Sequence, residues 1–135
     1  MSELITLLFL ACIFPATAQN PIQNHLPINQ FKLYEEKIVK ISAYTPSIDE
    51  CDSTPCISAS GVNVCKKRGR WIACPRKYSF GTVVGFDNLN FYCVDRKNIK
   101  HDWGKIEEFD KLYYDRQEAL NWGIKYKLIR IYEYN

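Results

Sequence analysis

This sequence of 135 residues lacks the signatures of metal and nucleic-acid sites. It has two histidines, and neither His25 nor His101 lies near a cysteine at the spacing of zinc ligands. The cysteines from Cys51 onward include no pair with the two-residue gap that zinc sites favour. No arginine-rich tract or zinc-finger spacing indicates nucleic-acid binding. We therefore expect no metal, no cofactor and no nucleic-acid partner.

A long hydrophobic segment is also missing. The apolar run at residues 4–14 is too short to cross a membrane, and it is followed by Pro15 and by Ala-Thr-Ala at 16–18. A short apolar run before an Ala-x-Ala site is typical of a secretory signal, although this one carries Glu3 where basic residues are usual. We expect cleavage after Ala18 and secretion to the cell envelope or beyond, without stable membrane insertion. An uncleaved anchor is the alternative.

The rest of the chain has the length of one domain. Removing residues 1–18 from the 135 leaves 117, which suits a single core and a monomer. Residues 19–30 are uncharged and contain two prolines, which predicts a tether, so residues 31–135 form the predicted domain. Loss of Glu3 raises the net charge from +3 to +4. This mildly basic balance favours anionic envelope polymers over neutral ones as partners.

Five cysteines remain after the leader: Cys51, Cys56, Cys65, Cys74 and Cys93. In an exported chain they predict disulfides with one thiol left over. The sequence leaves the pairing open. Cys51 with Cys56, or either of them with Cys65, would close a polar loop, while Cys74 and Cys93 belong to predicted strands.

The hydrophobic patterns predict short strands and one late helix. Apolar residues alternate as far as Tyr44, and Pro46 ends this strand because it has no N–H for a ladder. Asp87-Asn88 marks a hairpin turn, and Asp115 can cap a helix that ends at Gly123. This pattern, without repeats, favours a small all-β barrel. The predicted strands cover residues 38–44, 62–64, 71–74, 83–86, 91–94, 109–113 and 126–134.

Two aspartates stand among apolar residues. Asp95 follows Val94, and Asp110 follows Phe109. Burying an ionised carboxylate costs far more than burying an apolar side chain, so both aspartates should either pair with cations or take part in chemistry. The purely structural alternative is that Asp95 pairs with Arg96 or caps a turn, and that Asp110 caps another.

Seven short motifs lie in a fixed order between about residues 41 and 132. They are Ala43-Tyr44-Thr45-Pro46, Ser58-Ala59-Ser60-Gly61, Ile72-Ala73, Phe80-Gly81-Thr82, Val94-Asp95-Arg96, Phe109-Asp110 and Glu118-Ala119-Leu120-Asn121-Trp122-Gly123. With these motifs the chain resembles the Asp-Asp-Asp (3D) domain of secreted cell-wall proteins, which is related to the barrel of membrane-bound lytic transglycosylase A.

The resemblance implies a six-stranded double-psi β-barrel with one short helix near the C-terminus and a cleft that acts on the glycan strands of peptidoglycan. It matches Asp110 to the catalytic acid and Asp95 to a second family aspartate. The third family aspartate usually precedes the proline after Ile-Ala-x. This chain has Ile72-Ala73-Cys74-Pro75 there and no aspartate.

A lytic transglycosylase needs a single acid. The acid protonates the oxygen that bridges N-acetylmuramic acid and N-acetylglucosamine, and the resulting carboxylate accepts the proton of the sugar's own 6-hydroxyl as it closes on C1. The product is a 1,6-anhydro end. Asp110 would have to hold a proton near neutral pH, which Phe109 and Asp95 favour and which Arg96 and Lys111 oppose.

The remaining site residues would bind the sugar. Tyr44 and Trp103 could stack on a pyranose face, and Thr82 could offer a hydroxyl. Thr45, Ser60 and Arg96 complete the predicted substrate-binding set. The alternative function is a non-catalytic peptidoglycan-binding module of the same fold that has lost one aspartate.

Overall fold

The structure, a computed structural model, describes residues 30–49, 51–98 and 104–134. The predicted signal segment at 1–18, all of the predicted tether except residue 30, and Trp103 lie outside these residues.

Six strands and one helix make up the described domain. The strand predictions at 71–74, 83–86, 91–94, 109–113 and 126–134 are confirmed within two residues at each end, and Asp115 caps the helix as predicted. The elements are β1 (Phe31–Tyr44), β2 (Trp71–Cys74), β3 (Val83–Phe86), β4 (Leu89–Arg96), β5 (Glu108–Leu112), α1 (Arg116–Trp122) and β6 (Lys125–Tyr134).

Two strand predictions need correction. β1 begins at Phe31, well before the predicted start, because its first half pairs with β6 from Phe31↔Tyr134 onward. Lys32 and Glu36 are exposed in this half, and Glu35 and Lys37 form an ion pair on its other face, so charged residues interrupt the apolar alternation. Residues 62–64 do not form a strand, and this loop contributes only an isolated bridge between Ile57 and Asn63.

The strands close into a barrel in the order β1-β5-β2-β4-β3-β6. β1 runs parallel to β5 and β2 parallel to β4, while the other pairs are antiparallel. The predicted all-β, six-stranded barrel with one short helix near its C-terminus is therefore confirmed. The double-psi topology stays a prediction.

The core fills the barrel interior. The Trp122 indole packs against this core and donates its N–H to the Ile41 carbonyl at 3.1 Å, which fastens α1 to β1. The core includes the buried side chains of Val39, Ile41, Ile72, Cys74, Tyr78, Val84, Phe86, Phe91, Cys93, Phe109, Ile129 and Ile131.

Two disulfides join Cys56 to Cys65 and Cys74 to Cys93. The prediction of disulfides is confirmed, and among the described cysteines Cys51 takes part in neither of these two bridges. Two disulfides are compatible with an extracellular location. No helix in the described part of the chain has the length and hydropathy needed to cross a bilayer.

Candidate active site

Four residues of neighbouring strands form one row across the barrel wall. Ala73 of β2 pairs with Asp95 of β4 on one side and with Asp110 of β5 on the other, and Asp110 pairs in turn with Ser42 of β1. Neighbouring strands lie about 4.8 Å apart, so the Cα atoms of the two aspartates are about 10 Å apart. We call Asp95, Ala73, Asp110 and Ser42 the carboxylate row.

Asp110 faces the outside of the barrel. Its neighbour Phe109 pairs with Ile41, and both of these side chains are fully buried in the core. Because successive side chains of a strand point to opposite faces, Asp110 and Ser42 point away from that core.

A β-bulge brings Asp95 to the same outer face. Ile72 pairs with Cys93, but the next residue, Ala73, pairs with Asp95, so Val94 is an extra residue in β4. In a regular strand Asp95 would share the face of Cys93, which lies in the core. The extra residue reverses that alternation and turns the Asp95 carboxylate outward.

The Asp110 carboxylate is held by a serine and a lysine. Ser42 Oγ donates to Oδ1, and the Lys97 ammonium lies 2.7 Å from Oδ2 and 3.1 Å from Ser42 Oγ. The Lys97 side chain is 9% exposed and that of Asp110 is 21% exposed. The ammonium stabilises negative charge on a carboxylate that solvent still reaches.

The cation at Asp110 is therefore Lys97, which the sequence analysis did not name. The Arg96 guanidinium instead donates to the carbonyls of Pro75 and Tyr78 at 3.3 and 2.6 Å and lies over the Phe80 ring. The Lys111 ammonium donates to the Tyr113 hydroxyl at 2.8 Å.

Three hydrogen bonds hold the Asp95 carboxylate. The Tyr44 hydroxyl donates to Oδ2 at 3.1 Å. The backbone N–H groups of Ala59 and Arg96 donate to Oδ1 at 3.0 and 2.9 Å. Asp95 therefore serves here as a fixed acceptor that ties the loop at Ala59 to β4.

Tyr44 is a positioning residue in this arrangement. Burial, followed by the negative charge of Asp95 and the hydrogen bond to it, raises the pKa of Tyr44 far above its ordinary value. The phenol therefore stays protonated and keeps donating. Its ring packs against the outer apolar cluster of Val64, Val94 and Leu112, so this side of the ring is covered by protein.

The other predicted binding residues are more enclosed than expected for sugar contacts. Thr45 and Thr82 are 5% and 4% exposed. Ser60 shares a 3.0 Å hydrogen bond with Ser58 Oγ and donates its backbone N–H to the Val94 carbonyl at 3.0 Å. Ser60 thus lies beside Asp95, together with Tyr44 and the backbone of Arg96.

Sequence reasoning missed Ser42 and Lys97. Ser42 stands in a regular alternation, and Lys97 follows Arg96 in a charged stretch that resembles a solvated turn. Only the pairing of β1 with β5 and the path of the chain after β4 show that both contact Asp110.

The fold and the site together define the class of this protein. It is a closed, mixed β-barrel with two partly exposed aspartates in one row on its outer face. No protein-family model, no curated protein and no solved structure matches this chain. Among the described residues, no group of three or more His, Cys, Asp and Glu side chains is arranged to hold a metal ion. The resemblance to 3D domains stays a prediction.

Proposed function

We propose that this protein is a secreted, peptidoglycan-active enzyme of the lytic transglycosylase type, with Asp110 as its acid and base. One observation carries the proposal. Asp110 and Asp95 flank Ala73 in a single row on the outer face of the barrel, and both residues are partly exposed. This placement leaves them accessible to a long polymer that cannot enter the closed interior.

The residues of the row have separate roles in this proposal. Asp110 gives its proton to the bridging glycosidic oxygen, and it regains a proton from the sugar's 6-hydroxyl when the anhydro ring closes. Between the two transfers Asp110 is a carboxylate, and Ser42 and Lys97 stabilise its charge. Asp95 is the second carboxyl group of the row, and it would favour the positive character that develops at C1.

A non-catalytic binding module is the second candidate. The Asp110 carboxylate is already engaged by the Lys97 ammonium at 2.7 Å and by Ser42, as in a structural ion pair. In addition, the stretch Ile72-Ala73-Cys74-Pro75, where the resemblance expects the third aspartate, has none, and its Cys74 forms a buried disulfide with Cys93. In this alternative the outer face holds glycan strands without cutting them.

The two candidates predict different products from purified peptidoglycan. The enzyme releases soluble muropeptides with 1,6-anhydro ends, which mass spectrometry distinguishes from hydrolysed ends by the loss of one water. Asp110→Asn should remove at least 99% of this activity, since general acid catalysis contributes roughly 100-fold or more. The binding module sediments with insoluble peptidoglycan and releases nothing.

Asp87→Asn is the matched control. It makes the same chemical change at an exposed turn, where the backbone φ of 50° suits Asn as well as Asp. This variant should keep full activity. Anhydro products from Asp110→Asn at the rate of the parent protein would show that Asp110 is not the acid.

A further inference from the structure

A pocket lies beside the basic turn at residues 66–70, and none of the four residues of the carboxylate row lines it. Its volume is about 520 Å³, which is within the usual range for small-molecule sites. Its walls combine cations, aromatic rings and two acids. They are formed by Arg68, Gly69, Arg70, Leu89, Phe91, Lys111, Leu112, Tyr113, Tyr114, Asp115 and Glu118.

None of the three cations of this pocket forms a direct ion pair with a carboxylate of the described residues. The Arg68 guanidinium lies over the Tyr114 ring at 4.6 Å, and Arg70 donates its Nε–H to the Asn90 carbonyl at 3.0 Å. Neither forms an ion pair with a described residue, and the same holds for Lys111. The pocket therefore has unused positive charge.

Lys111 is the most constrained of the three. In the ladder between β2 and β5, Lys111 pairs with the core residue Ile72. The aliphatic part of its side chain therefore begins on the inner face of the sheet. Its ammonium lies 4.4 Å from the Trp122 ring centroid and 5.1 Å from that of Phe91, and it donates to the Tyr113 hydroxyl at 2.8 Å. Burial lowers the pKa of Lys111. An ammonium has three donors, and Tyr113 takes only one of them.

The basic wall is held in place before any ligand arrives. The Gly69 N–H donates to the Tyr114 hydroxyl at 3.3 Å, and that hydroxyl donates to the Val64 carbonyl at 2.7 Å. The Trp71 indole donates to the Lys67 carbonyl at 2.9 Å. The Cys56–Cys65 disulfide closes the loop just before the turn. A fixed wall reduces the entropy lost on binding.

We propose that this pocket binds a monoanionic ligand in which a carboxylate is attached to a flat apolar body. The carboxylate would lie against Lys111 with Arg70 or Arg68, because guanidinium and ammonium donors match carboxylate oxygens. The body would contact Tyr113, Tyr114 and the exposed edge of Leu89. This site is independent of the activity proposed for Asp110.

The two acids in the pocket wall determine which ligand charge the pocket can balance. Asp115 and Glu118 bring the side chains of the lining to a net charge of +1, given Arg68, Arg70 and Lys111 on the other side. One carboxylate balances this charge, whereas a dianion such as phosphate leaves the pocket with a net negative charge and has no apolar body to contact the rings.

Nuclear magnetic resonance titration of the ¹⁵N-labelled protein tests this site. The probe is N-acetylphenylalanine, and the neutral probe of the same shape is its amide. The carboxylate should shift the backbone resonances of Gly69, Lys111 and Tyr113 with a dissociation constant of about 1 mM or below. The amide and inorganic phosphate should bind at least about tenfold more weakly.

Variants assign the binding to the pocket. Lys111→Met, which keeps most of the stem, and Arg70→Gln should each weaken the carboxylate about tenfold. Lys67→Gln removes a charge from the same turn but does not line the pocket, so it should leave affinity unchanged. Equal losses in all three variants would show only general attraction to a basic surface. Equal binding of the amide, or of phosphate, would also overturn the proposal.

Discussion

At the scale of single residues, the contacts of Asp110 decide how the carboxylate row behaves. The ion pair with Lys97 is more enclosed than the pair between Lys127 and Asp87, whose side chains are 28% and 46% exposed. Enclosed pairs lose little to screening, but removal of one partner leaves the other charge uncompensated. Lys97 therefore matters for stability as well as for any chemistry at Asp110.

We predict that Lys97→Met lowers the free energy of unfolding by about 1–3 kcal/mol, because Asp110 loses its only cation within 3 Å among the described residues. Urea denaturation followed by tryptophan fluorescence measures this loss. Replacing Asp110 by Asn in the same chain should recover part of it, since the unpaired charge disappears.

Lys127→Met is the control for that measurement. Its partner Asp87 is largely solvated, so the cost should stay below about 1 kcal/mol. Similar losses for Lys97→Met and Lys127→Met would show that burial does not strengthen the pair at Asp110.

At the scale of elements, two local irregularities place the functional side chains. The bulge at Val94 turns Asp95 toward the outer face. The hairpin between β3 and β4 turns through Asp87 and Asn88, which have backbone φ angles of 50° and 60°. These are the left-handed angles of a two-residue hairpin, and they fix the register of β4 at its start.

Asn88 should tolerate glycine and resist a β-branched residue. We predict that Asn88→Gly changes the free energy of unfolding by less than about 0.5 kcal/mol, whereas Asn88→Val lowers it by about 1–2 kcal/mol. Thermal unfolding measured by circular dichroism checks both changes.

Asn90→Val provides the comparison, because Asn90 lies in the extended part of β4, where a β-branched side chain is favourable. If Asn88→Val were as stable as Asn90→Val, the left-handed turn would not exist in solution.

At the scale of the whole molecule, the two disulfides stabilise different parts of the barrel. Cys74–Cys93 links β2 to β4 inside the core, and Cys56–Cys65 closes the loop that covers the outer face near Asp95. Their sequence separations are 19 and 9 residues. For loops of this size the stabilisation is about 3 kcal/mol each.

We predict that reduction lowers the melting temperature by at least about 10 °C, because both loop constraints are lost from the unfolded chain. Calorimetry with and without a phosphine reductant measures the shift, and a thiol assay confirms that reduction is complete. Cys51→Ser should shift the melting temperature far less than reduction does, since Cys51 is in neither of these two bridges and serine can still donate to the Thr45 carbonyl. Full reduction without a shift would contradict a stabilising role for the bridges.

Local sequence determined most of the elements. Pro46, the Asp87-Asn88 turn and the Asp115 cap each act through the backbone of a few neighbouring residues, so their positions follow from residue type. The number of cysteines also predicted disulfides with one thiol left over, although not which cysteines pair.

Tertiary structure alone decided the composition of the candidate site. The resemblance selected Asp95 and Asp110, but their common outer face depends on one extra residue in β4, and a shift of one residue reverses the direction of every side chain after it. Both residues that contact the Asp110 carboxylate are distant in sequence. Ser42 lies 68 residues before Asp110, and Lys97 lies 13 residues before it. Such contacts depend on strand pairing between distant segments, and residue type does not encode the pairing partner.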